Sequence, residues 1–172
     1  TIVATVMSNL GLHMFAQEYG LNLECTDVGD RNVLEKMLER GYALGGEQSG
    51  HMIFRDYATT GDGQLTALQV LALLKESGKK ASEVFGTCAR YPQVLINVPV
   101  ADNDVKKAVM ANPALWEAVK AEEEKLAGSG RILVRPSGTE ALMRVMVEAK
   151  TEEAAQQAAR RLADRIPSLA EG

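Results

Sequence analysis

In the first half of the chain, short apolar runs alternate with segments of helical periodicity. Residues Ile2–Met7 are almost all apolar, and several are β-branched, which is typical of a strand covered on both faces. Apolar residues then recur at helical spacing as far as Gly20, and the alternation repeats. This rhythm predicts βαβ units and an α/β three-layer domain with a mixed sheet. Its predicted strands are Ile2–Met7, Leu21–Thr26, Tyr42–Leu44 and Met52–Phe54, and its predicted helices are Leu10–Tyr19, Val33–Arg40, Gln64–Glu76 and Ala81–Phe85. Asn32 and Asp62 are the expected caps of the second and third helices.

The pattern changes after Gly86–Pro92, which has the composition of a linker. The second half predicts one strand, two helices, a β-hairpin and a final helix, with Glu122, Glu123 and Glu124 facing solvent. This order favours an α+β domain with an open antiparallel sheet and helices on one face. We therefore expect two domains, residues 1–88 and 89–172. The predicted elements of the second domain are Gln93–Val100, Asp102–Met110, Ala114–Leu126, the hairpin Arg131–Ala149 and Glu152–Arg165 capped by Thr151.

Composition and charge restrict the classes of partner. The 46% hydrophobic and 24% charged content is that of a soluble globular protein. A net charge of −4, without any basic run longer than a pair, argues against nucleic acid. Apolar runs fall far below the roughly 18 residues of a membrane span, so we expect no membrane partner. Cys25 and Cys88 are distant and lack a C-x-x-C pattern, which favours a reducing, cytoplasmic location. The chain enters a buried strand directly at Thr1, so we expect a fragment or a processed form.

The hairpin contains the loop R-P-S-G-T-E, which combines several donors for an anion. Ser137 and Thr139 carry hydroxyls, Gly138 exposes backbone N–H groups, and Arg135 and Arg144 flank the loop with guanidinium groups. Alternation along the second strand of this hairpin places Met143, Val145 and Val147 on one face and Arg144 on the other. An ordinary Pro-Ser-Gly turn explains the same residues equally well.

A second polar loop, G-G-E-Q-S-G-H, precedes the fourth strand. In an extended segment Glu47, Ser49 and His51 would share one side, and their carboxylate, hydroxyl and imidazole suit sugar hydroxyls. Taken by itself, the loop is better explained as a Gly-rich hairpin with polar residues in water. His51 is also explained as a structural histidine, which is the interpretation that we favour for His13.

Three segments together resemble the α-D-phosphohexomutases over essentially the whole chain. They are R-P-S-G-T-E at 135–140, G-G-E-Q-S-G-H at 45–51 and T-V-M-S-N-L-G-L at 5–12. Within that family, the Gln of E-Q-S-G-H and the V-G-D-R at 28–31 resemble members acting on glucosamine phosphates. The resemblance implies the third and fourth domains of a four-domain enzyme. Such an enzyme interconverts glucosamine 6-phosphate and glucosamine 1-phosphate through a bisphosphorylated sugar.

The resemblance also implies roles for individual residues. Sugar-binding residues would be Glu47, Ser49 and His51, with His51 near the reacting end as a candidate for proton handling. The phosphate that is not transferred would be bound by Arg135, Ser137, Gly138, Thr139 and Arg144. Asp30 and Arg31 would belong to a further loop lining the cleft. Ala141 stands where the family usually has proline, which should loosen the loop slightly without removing a ligand.

The family's phosphoserine loop and its D-G-D-x-D-R loop for Mg²⁺ do not occur in these 172 residues. The resemblance places both upstream, so we expect no metal site here and no activity without the N-terminal domains of the same protein. The expected ligand is a hexosamine phosphate, and a homodimer is compatible with the sequence. Alternatives are a phosphomannomutase or phosphoglucomutase, or a non-catalytic sugar-phosphate-binding module. A nucleic-acid-binding α+β module is disfavoured by the charge.

Overall fold

The computed structural model describes residues 1–86 and 88–170. The chain forms two compact units, Thr1–Arg90 and a second unit that begins at Tyr91. Each unit has its own sheet and its own helices. In the described residues, no helix is long and apolar enough to cross a membrane.

The first unit is built on a four-stranded mixed sheet. Its strands are β1 (Ile2–Thr5), β2 (Leu23–Thr26), β3 (Leu44–Gly46) and β4 (Met52–Phe54), and its helices are α1 (Leu10–Glu18), α2 (Asp30–Arg40), α3 (Gly63–Ser77) and α4 (Ala81–Val84). The strand order is β2-β1-β3-β4: β1 pairs in parallel with β2 and with β3, whereas β3 and β4 form an antiparallel hairpin. This confirms the predicted mixed sheet with βαβ connections.

Helix α2 packs closely on the sheet at Gly45. A Cβ at Gly45 would lie 2.5 Å from the Met37 sulfur and 2.7 Å from Val33 Cγ1. Val33 and Met37 are completely buried together with Val3 and Ile53. Only glycine allows this approach of the helix to the strand. Packing against the core therefore fixes the position of Gly45, the first residue of the G-G-E-Q-S-G-H segment.

The predicted start of α2 is wrong. The helix begins at Asp30, and Gly29, at φ 128°, is the residue before it. Asn32 therefore lies inside the first turn, where its amide donates to the Val28 carbonyl at 3.0 Å instead of capping the helix. An acidic residue in the first turn interacts favourably with the helix dipole, which explains the earlier start at Asp30.

The second unit is a three-stranded antiparallel sheet covered by helices. Its strands are β5 (Gln93–Pro99), β6 (Gly130–Pro136) and β7 (Leu142–Ala149), and its helices are α5 (Asn103–Ala111), α6 (Pro113–Leu126), α7 (Glu152–Ala163) and α8 (Ile166–Ala170). The strand order is β5-β7-β6, and this architecture confirms the predicted α+β class. The predicted row Met143, Val145 and Val147 is fully buried in the core that these helices share.

The predicted solvent exposure of the acidic triplet is wrong at Glu122. This residue is buried, and its carboxylate lies 2.8 Å from a guanidinium nitrogen of Arg161 and 2.7 Å from Lys125 Nζ. Its two neighbours, Glu123 and Glu124, are exposed as expected. Of the three glutamates, Glu122 is the one that the helical period directs toward α7. Its contact with Arg161 on that helix offsets the free-energy cost of burying the carboxylate.

Candidate functional site

The loop between β6 and β7 is closed by its own hydrogen bonds. The Ser137 N–H donates to the Leu142 carbonyl and the Leu142 N–H to the Glu140 carbonyl, both at 2.9 Å. The Ser137 hydroxyl accepts from the Glu140 N–H at 3.2 Å, and the residue is only 3% exposed. Ser137 therefore organises the loop from inside, while its hydroxyl hydrogen stays available for donation.

Gly138 and Thr139 lie at the exposed tip of the loop. Within the described ranges, neither of their N–H groups has a protein acceptor. Gly138 does not have the positive φ that favours glycine, and a Cβ added there would meet no atom within 4 Å. Because the loop does not need glycine for its own conformation, the open space above Gly138 and the two N–H groups suit an external anion.

Two arginines approach this loop from adjacent strands. Arg135 on β6 is the direct partner of Arg144 on β7, and Asn97 on β5 is opposite Arg144 on its other side. One terminal nitrogen of Arg144 lies 3.4 Å from the Ser137 hydroxyl and 3.2 Å from a Glu140 carboxylate oxygen. Its buried Nε has no hydrogen-bond partner among residues 1–86 and 88–170. The pairing places the two arginines at neighbouring positions on the same face of the sheet, and the donors of Arg144 are not saturated by the described residues.

Lys106 supports the loop from helix α5 and was missed by the sequence analysis. Its amino group donates to the Ser137 carbonyl at 2.8 Å and to the Glu140 carbonyl at 2.9 Å, and the residue is 6% exposed. The available signal was its helical position, since Lys106 stands three residues before the buried Val109 on the same face. A lysine on the apolar face of a helix needs an acceptor inside the protein.

In the first unit, Glu47, Ser49 and His51 meet in one cluster. The Ser49 hydroxyl donates to Glu47 Oε1 at 2.7 Å and lies 2.9 Å from His51 Nδ1. His51 Nδ1 is also 3.2 Å from Glu47 Oε1. Because the hydroxyl hydrogen is used by the carboxylate, this pairing requires a hydrogen on Nδ1, and in the neutral imidazole Nε2 is then the acceptor. In this neutral tautomer the cluster offers acceptors to a polyol, at His51 Nε2 and at the Glu47 carboxylate.

An extended segment was predicted to bring these three side chains together, but a tight turn does so instead. The Glu47 N–H donates to the His51 carbonyl and the Gly50 N–H to the Glu47 carbonyl, both at 3.0 Å. Gly50 has a φ of 99°, which favours glycine. The hairpin interpretation was correct for the backbone, and the closure of the turn is what brings the three side chains together.

Asp30 and Arg31 were predicted to belong to a loop that lines the cleft, but they lie in the first turn of α2. Asp30 Oδ1 accepts from the Arg31 N–H, and Arg31 Nε contacts Glu35 Oε1, both at 2.8 Å. Gly29 is the residue of this segment that reaches the cluster, since its N–H donates to Glu47 Oε2 at 3.3 Å. Both oxygens of the Glu47 carboxylate are therefore held, one by a side chain and one by the start of a helix.

In the part of the chain that the structure describes, no three His, Cys, Asp or Glu side chains form a group that could hold a metal ion. Asp62, between two glycines, caps α3 as predicted: its Oδ1 accepts from the N–H groups of Gln64 and Leu65 at 2.9 and 3.0 Å. The N–H and guanidinium donors of the loop between β6 and β7 suit an anion.

Comparison with known families identifies the class of this chain. Residues 1–91 match the profile of phosphoglucomutase/phosphomannomutase alpha/beta/alpha domain III, and residues 95–165 match that of the phosphoglucomutase/phosphomannomutase C-terminal domain. The chain belongs to the phosphoglucomutase/phosphomannomutase family, and the resemblance seen in its three sequence segments is confirmed.

Curated relatives are more specific. The chain is 56% identical over 168 residues to the phosphoglucosamine mutase of Caldicellulosiruptor saccharolyticus, covering 98% of this chain and 37% of that protein. It is 55% identical over 153 residues to the phosphoglucosamine mutase of Lactococcus lactis, covering 89% of this chain and 34% of that protein. The chain therefore spans little more than a third of the length of these relatives.

Solved structures share the fold at lower identity. The Aspergillus fumigatus N-acetylphosphoglucosamine mutase in complex with GlcNAc-6P and magnesium has a TM-score of 0.81 at 22% identity, covering 98% of this chain and 39% of that one. A phosphoglucomutase/phosphomannomutase family protein from Burkholderia thailandensis has a TM-score of 0.69 at 22% identity, covering 99% and 37%.

Proposed function

We propose that these residues are the sugar- and phosphate-binding part of a phosphoglucosamine mutase that interconverts glucosamine 6-phosphate and glucosamine 1-phosphate through a bisphosphate. The observation that carries this proposal is the 56% identity to a phosphoglucosamine mutase over 98% of the chain. Residues 1–88 would be the third domain of the whole enzyme and residues 89–172 the fourth. Within this chain, binding is assigned to the two polar loops.

The loop of the second unit is assigned to the phosphate that is not being transferred. Arg135 and Arg144 supply neighbouring positive charge, and Gly138 and Thr139 supply exposed N–H groups. Ser137 orders the loop through its accepting hydroxyl and can donate its hydrogen to the anion. Charge-assisted hydrogen bonds of about 1.5–3 kcal/mol each are sufficient for binding a sugar phosphate.

The cluster of the first unit is assigned to the sugar. The Glu47 carboxylate, oriented by Ser49 and Gly29, can accept from sugar hydroxyls, and the half-exposed His51 can accept through Nε2. An imidazole in this tautomer can also take up a proton near the reacting end. Fixing these groups before the ligand arrives lowers the ordering cost of binding.

The transferred phosphoryl group requires parts that these residues do not include. The family's phosphoserine and magnesium loops are absent from the 172 residues. Bound Mg²⁺ would neutralise developing charge during transfer. Residues of this chain bind and orient the substrate, so we propose that the chain by itself does not turn over glucosamine phosphate.

The test uses the full-length enzyme and titration calorimetry with glucosamine 6-phosphate. Arg135→Ala should weaken binding tenfold or more, which is about 1.4 kcal/mol. Unchanged affinity would contradict the phosphate assignment. Faster turnover of mannose or glucose phosphates than of glucosamine phosphates would favour a phosphomannomutase or phosphoglucomutase. Measurable turnover by the purified 172-residue chain would overturn the proposed inactivity.

A further inference from the structure

We propose that Lys106 is a positioning residue for phosphate binding. Its buried ammonium holds the two carbonyls that flank the tip of the loop, and its positive charge attracts the bound phosphate. This inference rests on the phosphate assignment proposed above. Lys106 belongs to α5, and among residues 1–86 and 88–170 the hydrogen-bond acceptors of its amino group are the Ser137 and Glu140 carbonyls. It is therefore distinct from the residues that contact the ligand directly.

The side chain of Lys106 carries a buried positive charge. Lys106 is 6% exposed, and across residues 1–86 and 88–170 no carboxylate lies within 4.0 Å of its amino group. Removing an ammonium from water is costly when only neutral carbonyls replace the lost hydration. A fold that merely needed the loop closed could use a neutral donor at this position. A dianionic ligand above the loop gives the positive charge itself a function.

The Ser137 and Glu140 carbonyls that accept from Lys106 flank the exposed tip of the loop. Ser137 and Glu140 stand at the two ends of the exposed tip, which consists of Gly138 and Thr139. With both flanking carbonyls directed to Lys106, the oxygen dipoles are tied to an ammonium, and the unused N–H groups of the tip remain for an acceptor. An arrangement of neighbouring N–H groups over a buried cation is favourable for an anion and unfavourable for a cation.

A positioning role and a purely structural role of Lys106 lead to different expected results. If Lys106 only stabilised the loop, its loss would lower stability while folded molecules still bound phosphate normally. If it positions the loop and supplies charge, the binding of inorganic phosphate should weaken together with that of the sugar phosphate. Lys107 is the matched control, because it is the next residue on α5 but is exposed and pairs with Asp104 at 3.0 Å.

The experiment compares Lys106→Met, Lys106→Arg and Lys107→Met in the full-length enzyme. It measures kcat and KM for glucosamine 1-phosphate, competitive inhibition by inorganic phosphate, and thermal unfolding. We expect Lys106→Met to raise both KM and the phosphate inhibition constant at least tenfold, with a smaller change in kcat, because the held phosphate is bound similarly in ground and transition states. Lys106→Arg should recover part of the affinity, and Lys107→Met should match the wild type.

Wild-type phosphate inhibition in a folded Lys106→Met enzyme would overturn the proposal, even if that enzyme were less stable. Should Lys106→Met fail to fold, Lys106→Gln, which retains a neutral donor, takes its place: weakened phosphate binding would support the role of the charge, and unchanged binding would overturn it. Arg135→Ala, measured in parallel, separates the two hypotheses. Weak binding by Arg135→Ala with normal binding by the Lys106 variants would reject this inference and leave the proposed function standing.

Discussion

Arg135 and Arg144 occupy directly opposed positions on the neighbouring strands β6 and β7. Like charges at directly paired positions of an antiparallel ladder are destabilising, by up to about 1 kcal/mol. This destabilising pair lies beside a loop whose tip has N–H groups without a protein acceptor among the described residues. An anion shared by the two guanidinium groups would convert the repulsion into binding energy, which leads to the first prediction.

If both arginines bind one phosphate, their effects on affinity should be coupled. We expect Arg144→Ala, like Arg135→Ala, to weaken glucosamine 6-phosphate binding tenfold or more. The double variant should differ from the sum of the two single changes by about 0.5 kcal/mol or more. Calorimetry on the full-length enzyme measures the complete cycle. Arg160→Ala, which removes an exposed charge on α7, is the control and should have little effect. Strict additivity would mean that the two arginines do not share an anion.

Gly138→Ala should separate ligand binding from folding. An added Cβ meets no protein atom within 4 Å and the backbone has no left-handed strain, so the free energy of unfolding should change by less than about 0.5 kcal/mol. Phosphate should bind several-fold more weakly, because the methyl group enters the space left for the anion. Urea unfolding and phosphate inhibition of the full-length enzyme measure the two effects. Gly63→Ala, where an added Cβ also meets nothing, should alter neither strongly, and equal affinities for both variants would count against an anion at Gly138.

Ser49→Ala should affect recognition of the sugar without affecting that of phosphate. The hydroxyl joins Glu47 to His51, and its loss leaves only the direct 3.2 Å contact between those two side chains. We expect KM for glucosamine 1-phosphate to rise several-fold, an unchanged inhibition constant for inorganic phosphate, and stability within about 0.5 kcal/mol of wild type. Ser168→Ala, which removes an exposed hydroxyl bound to the Arg165 carbonyl, serves as the control. A parallel loss of phosphate inhibition would show that the cluster does not act on the sugar specifically.

The Glu122–Arg161 contact should make the second unit sensitive to acid. Hydrogen bonding from Arg161 lowers the pKa of Glu122, an effect that burial opposes and Lys125 reinforces. A lowered pKa in the folded state means that the contact stabilises fully above the unfolded value, about 4.3, and is lost as pH falls through the folded value. Glu122→Gln should therefore reduce stability at neutral pH by roughly 1.5–3 kcal/mol and flatten its acid decline.

Urea unfolding at a series of pH values checks this prediction. The single tryptophan, Trp116, lies on the same helix as Glu122 and provides the fluorescence signal for the second unit. Glu123→Gln is the matched control, since Glu123 is exposed beside Glu122. An acid decline of the same steepness in both variants would show that the Glu122 contact does not control it.

Local signals along the chain predicted the elements well where caps and periodicity agreed. Thr151 begins α7 by accepting from the Ala154 N–H at 3.2 Å, and Asp62 begins α3, both as expected. The start of α2 was missed because Asp30 supports the first turn without a side-chain cap. Exposure of Glu122 was misjudged because a charged triplet suggests solvent, whereas burial depends on a partner 39 positions away.

Periodicity, capping residues and loop composition are local properties, so they were sufficient to predict the fold class of both units and the polar character of the two loops. The pairing of Arg135 with Arg144 and the contact of Gly29 with Glu47 became visible in the folded chain alone. Folding also places Lys106 beneath a loop whose Glu140 lies 34 positions further along the chain. Strand register and the packing of helices on strands follow from long-range burial and hydrogen bonding, which local patterns do not specify.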